Sequence, residues 1–142
     1  MSSHSNLLNV VGGSSVIGPA GEPMDLVRLV RRGLPIGAVQ SLLESGRLTA
    51  AELDHVVLPR KTLAHRRKLG TLTPEQSDRL VRVARLLAAA EETFGNPAKA
   101  GIWLRRPTSV FAGERPMDLL DTDEGAREVE TLLGQISNGI AA

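Results

Sequence analysis

The chain has 142 residues, enough for one ordinary domain or two small ones sharing a core, and its formal net charge is only +1. Apolar residues make up 42% but aromatic ones 2%, so the core must be built from Leu, Val, Ile and Ala, which favours packed helices over aromatic-rich strands. The lack of Cys excludes disulfides and thiolate metal sites and agrees with a reducing cytoplasm, and no apolar run approaches the ~20 residues needed to span a bilayer.

Residues 1–22 are rich in Ser and Gly, show little periodicity and lack the basic start and apolar block of a secretory signal; they read as a flexible arm. Their GGSSVIG segment has no following Gly-Lys-Ser/Thr and is not a phosphate loop. A short helix is expected from Pro23 to Arg32, with Gly33 as its stop and Arg28, Arg31 and Arg32 forming a solvated face. A second runs from Pro35 to Ser45, where Ile36, Val39, Leu42 and Leu43 recur at helical spacing. A third begins at Thr49, whose capping box is completed by Glu52, and stops at Leu58-Pro59. A fourth covers about Arg60 to Lys68 and exits at Gly70.

The best-punctuated stretch is Thr73 to Phe94. Thr73, Pro74 and Gln76 form a capped start, Leu80, Ala84, Leu87 and Phe94 mark one face, and Gly95 supplies the exit. A helix follows Asn96-Pro97 and ends at Pro107, carrying Ala100, Trp103 and Leu104. One helical turn is expected at Pro116 to Leu120, and a last helix from about Asp123 to Ser137, with Ala126, Val129, Leu132, Leu133 and Ile136 as its stripe. No segment reads as a strand, and the fold class is all-α.

Charge is segregated along this order. Residues 47–90 carry net +5 and residues 91–142 net −4, a pattern that fits two surfaces for two unlike partners or an unpatterned solvated surface. Catalytic chemistry finds little support. His4, His55 and His65 form no metal-ligand spacing, no nucleophile elbow is present, and Asp121, Asp123 and Glu124 suit a helix N-terminus electrostatically. The segments 49–57 and 60–68 instead resemble a helix-turn-helix, whose second helix would carry Arg60, Lys61, Thr62, His65, Arg66, Arg67 and Lys68 toward DNA. The alternative is a basic solvated helix in a bundle. Arg79, Arg82 and Arg85 either extend the phosphate surface or pair with carboxylates such as Glu75 and Asp78. Trp103 and Phe111 read as core anchors of a second subdomain. Glu91 and Glu92 oppose the dipole of their own helix, which leaves them to solvent or a partner.

The run RKTLAHRRKLGTLTPEQSDRLVRVARLLAAAEETFGNPAKAGIWL, then FAGERPMDLL and TDEGAREVETLLGQISNG, resembles the Xre/MbcA/ParS antitoxins of bacterial toxin–antitoxin pairs. The resemblance covers about Leu42 to Gly139. It implies a helix-turn-helix domain over 23–90, including the long linking helix, and a toxin-binding subdomain over 91–142. It also implies operator DNA and a RES-class toxin that consumes NAD or transfers ADP-ribose as partners, with no cofactor and no catalysis by the chain itself. Toxin-binding residues are then expected among Trp103, Phe111, Gly113, Ile136, Gly139, Ile140 and Ala142, the last three as plug residues for the toxin cleft. A homodimer is expected, since such DNA readers present two half-sites. The other reading is a stand-alone helix-turn-helix repressor with a C-terminal dimerisation domain. In the antitoxin reading, Leu80, Ala84 and Leu87 pack on the DNA-reading head and Phe94 packs near Trp103.

Overall fold

The computed structural model describes residues 3–139, with side chains from residue 6 onward. Ile140, Ala142 and the side chain of His4 lie outside the described residues. Within them the chain forms helices α1 (Ser3–Val10), α2 (Ser14–Ile17), α3 (Pro23–Arg32), α4 (Gly37–Glu44), α5 (Ala50–Val56), α6 (Arg60–Leu69), α7 (Pro74–Phe94), α8 (Pro97–Leu104) and α9 (Asp123–Ser137). Two 3-10 turns, Ser109–Phe111 and Pro116–Asp121, lie between α8 and α9. The only extended pairing among the described residues is a single antiparallel bridge between Pro35 and Thr71. None of the described helices is long and apolar enough to cross a membrane.

Helix α7 is the spine, and α1, α3, α5, α8 and α9 all pack on it. Its start follows from sequence alone. Thr73 Oγ1 accepts the Gln76 N–H at 3.1 Å, and Gln76 Oε1 accepts the Thr73 N–H at 2.9 Å. Pro74 takes the first helical position, where no N–H is needed, and Gly95 leaves in the left-handed conformation. Leu80, Ala84 and Leu87 are buried, and the Phe94 and Trp103 ring centroids are 5.3 Å apart, the neighbourhood that the antitoxin resemblance led us to expect. Ser77 is also buried, because its hydroxyl accepts the buried N–H of Leu34 at 2.8 Å.

The N-terminal segment departs from expectation. Instead of a free arm, Leu7, Val10 and Val11 are buried, and α1 lies along α7. Ile17 and Ala20 are buried as well, and α2 sits against α4. The reason is a packing match invisible to local periodicity. Leu7, Val10 and Val11 occupy one face of a helix too short to announce itself, and the apolar surface of α7 covers it.

The arginines of α7 also depart from the expected pairing. Among the described residues no ion pair joins Glu75 to Arg79 or Asp78 to Arg82. Arg82 turns the other way, placing Nη2 3.4 Å from the carbonyl oxygens of Leu120 and Asp121 at the end of the second 3-10 turn. Those carbonyls lack helical partners and attract a cation.

Candidate functional site

The two helices expected to form a helix-turn-helix are present as α5 and α6. Thr49 caps α5 by accepting the Glu52 N–H at 3.1 Å, while Glu52 Oε1 accepts the Thr49 N–H at 2.9 Å. Val56, Val57 and Leu58 are buried, so the turn into α6 is held by its apolar side chains rather than by a glycine. Pro59 stands at the N-cap of α6 without a capping oxygen. Asp54 fills that role from α5, accepting the Arg60 N–H at 2.8 Å. Leu63 is the buried residue of α6.

This leaves Arg60, Lys61, His65, Arg67 and Lys68 exposed, with Thr62 and Arg66 half-buried. Arg66 is partly committed, since its Nε donates to the Thr71 carbonyl at 2.8 Å and ties the helix exit to the next loop. Arg66, Arg67 and Lys68 occupy the last turn, where the helix dipole favours cations. The result is a short, basic, solvent-facing helix on a rigid two-helix unit, a shape that suits a nucleic-acid groove.

The toxin-binding candidates are placed unevenly. Phe111 is 8% exposed and belongs to the core, so it shapes the subdomain from within. Trp103 is half-buried against Phe94. Gly113 follows Ala112 through two left-handed residues, φ 86° and 56°, and its N–H donates to the Thr108 carbonyl at 3.0 Å, closing the loop between the 3-10 turns. Ile136 is half-buried at the core edge, and Gly139 is exposed at the end of α9. Thr93 and Ser137 hydroxyls meet at 2.9 Å and clip that end to α7. Ile102 and Val110 are exposed apolar side chains in the same region, and Ile102 borders a cleft of about 430 Å³ that Arg47 and Arg105 also line.

Sequence reasoning missed the seam between these two halves. Glu52, read only as a capping residue, also receives Arg105, with Nε to Oε2 and Nη2 to Oε1 both at 2.9 Å. Arg115 approaches the same carboxylate at 3.7 Å and forms a two-pronged pair with Asp118 at 2.9 and 2.8 Å. Arg105 further donates to the Arg47 carbonyl at 3.1 Å, and Arg47 grips Glu91 at 2.6 and 3.0 Å. His55 Nε2 lies 3.1 Å from the Asp118 carbonyl oxygen.

Burial alone would raise the Glu52 pKa, but the Arg105 hydrogen bond, the Thr49 N–H and the two guanidinium charges hold it below the usual range. The Arg115 hydrogen bond likewise holds Asp118 low. The carboxylates in turn raise the pKa of Arg47, Arg105 and Arg115, chiefly through hydrogen bonds to Glu91, Glu52 and Asp118 respectively. Glu91 thus has a partner within the chain, and Glu92 accepts a hydrogen bond from the Asn6 side chain of α1. Arg115 and Asp118 are three residues apart, but no local pattern signals the pairs of Glu52 with Arg105, Arg47 with Glu91 and Asn6 with Glu92, because each joins residues far apart in sequence.

Residues 25–85 match the antitoxin Xre-like helix-turn-helix domain, and residues 89–139 match the antitoxin Xre/MbcA/ParS C-terminal toxin-binding domain. The chain is 31% identical over 125 residues to the antitoxin Xre of Yersinia enterocolitica, covering 86% of this chain and 84% of that protein. The chain belongs to the Xre antitoxin family. An antitoxin Xre from Pseudomonas putida is 42% identical over 99 residues, a match covering 69% of this chain and 62% of that relative's length. A Prs ADP-ribosylating antitoxin from a Sphingobium species is 28% identical over 136 residues, covering 84% and 82% of the two chains. In this chain, α5 and α6 therefore lie in the region matching the helix-turn-helix domain, and α8, the 3-10 turns and α9 in the region matching the toxin-binding domain.

Proposed function

We propose that this Xre antitoxin neutralises a RES-class toxin by inserting its C-terminal end into the toxin's NAD site, and that it represses its own operon through α6. It acts as a homodimer in the cytoplasm and performs no chemistry of its own. The single observation that carries the reading is the mounting of α9. Val129, Leu132 and Leu133 are buried, Ser137 is clipped to Thr93, and Gly139 stands exposed just beyond the end of α9. A helix end held by packing needs little further ordering when it meets a partner. The name of the Sphingobium relative supports ADP-ribosyl chemistry in such pairs.

The test is co-expression with the cognate toxin, comparing the full chain with one ending at Asn138. The full chain should co-purify with the toxin and preserve cellular NAD. The shortened chain should still bind through the toxin-binding domain but fail to protect NAD. Equal protection by both would overturn the plug. Operator binding without any toxin capture would leave a stand-alone repressor.

A further inference from the structure

Arg31 and Arg32 end α3 some 35 residues before Arg67, and in sequence they read as a solvated face. The fold joins the segment that follows them to the segment that leaves α6. The Ile36 N–H donates to the Gly70 carbonyl at 2.9 Å, and the Leu72 N–H donates to the Leu34 carbonyl at 2.8 Å. Between these bonds and α3 stands Gly33, with φ 99° and so little room that a Cβ would lie 2.2 Å from the Leu72 carbonyl oxygen. Any other residue would push Leu72, in the loop between α6 and α7, away from the end of α3.

Both arginines are exposed, and among the described residues neither has an ion-pair partner, whereas Arg28 is engaged by Asp25 at 3.4 Å. A ten-residue helix is about 15 Å long and the major groove about 12 Å wide. A helix whose first turn meets base edges therefore leaves the groove close to a sugar–phosphate backbone. The exit of α6 carries Arg67 and Lys68, and the segment that leaves α3 pairs with the segment that leaves α6.

We propose that Arg31 and Arg32 are phosphate contacts, continuing in space the basic run of α6 across a clamp made by Gly33, Leu34, Ile36, Gly70 and Leu72. The proposal rests on the DNA-binding reading above and deepens it. The contacts carry no base information; they orient the protein and make binding salt-dependent.

The experiment measures affinity for a duplex from the protein's own upstream region and for a scrambled duplex, between about 50 and 200 mM salt. Removing two phosphate contacts with R31Q/R32Q should lower the magnitude of the log–log salt slope by about 1.8. The wild type should then lose about 12-fold more affinity over that range than the variant. The loss at low salt should be equal on both duplexes, and R31K/R32K should restore the slope. R67Q serves as the comparison on α6. An unchanged slope in R31Q/R32Q beside a lowered one in R67Q overturns the proposal and leaves DNA binding standing. A wild type with no salt-dependent DNA binding overturns both. Thermal unfolding of R31Q/R32Q separates a charge effect from a folding defect, and R31K/R32K keeps the test decisive if the double Gln chain melts early.

Discussion

Ser77 illustrates how one side chain holds two elements. It is fully buried on α7, and its hydroxyl accepts the buried Leu34 N–H, 43 positions away. Ser77→Ala would leave that N–H without a partner, and a buried unsatisfied donor costs about 2 kcal/mol. Urea unfolding should show a destabilisation of that size, while Ser45→Ala on the exposed end of α4 should change little. A Ser77→Ala chain as stable as the parent would mean that Leu34 finds another acceptor. Glu52 shows the same economy, since one carboxylate caps α5 and receives Arg105. The first role was legible three residues away from Thr49. The second was not, because Arg105 lies on the far side of the chain order.

At the level of elements, punctuation was read well and partners were not. The capping boxes at Thr49 and Thr73 and the left-handed exits at Gly70 and Gly95 stand where their residue types require. These are short-range effects of backbone hydrogen bonding, so a sequence displays them directly. Helix α1 was missed for the opposite reason. Its eight residues are too few to be stable alone, and burial against α7 makes them helical. Deleting residues 1–12 removes the buried Leu7, Val10 and Val11 and uncovers their contact face. After the ordering entropy is returned, the loss should be about 2–4 kcal/mol, read as a lower urea midpoint. A free arm would leave that midpoint where it was.

For the whole molecule, the seam of Glu52, Arg105, Arg115 and Asp118 ties the helix-turn-helix domain to the toxin-binding domain. Its pH dependence has a definite sign. Glu52 and Asp118 both have folded-state pKa values below their ordinary ones. The unfolded chain therefore takes up protons first as pH falls. The stability they contribute is present above about pH 4–5, where unfolded carboxyls are ionised, and is lost as pH drops through the lower folded values. Unfolding free energy should accordingly fall steeply below about pH 5. Glu52→Gln should be less stable at neutral pH and show a shallower acid slope, because one linked proton is gone. An identical slope in the variant would place the acid sensitivity elsewhere.

The sequence by itself determined the all-α class, the ends of most helices, the basic face of α6 and the family resemblance. All of these depend on residues within a few positions of one another, where helical spacing and capping chemistry act. Only the tertiary structure decided that residues 6–20 are packed, that Arg82 turns to the Leu120 carbonyl, that Arg47 answers Glu91 and that the segment leaving α3 pairs with the one leaving α6. Those outcomes depend on which distant surfaces meet across α7. Side-chain type constrains such meetings only weakly, since many cations could serve each carboxylate and the fold selects among them.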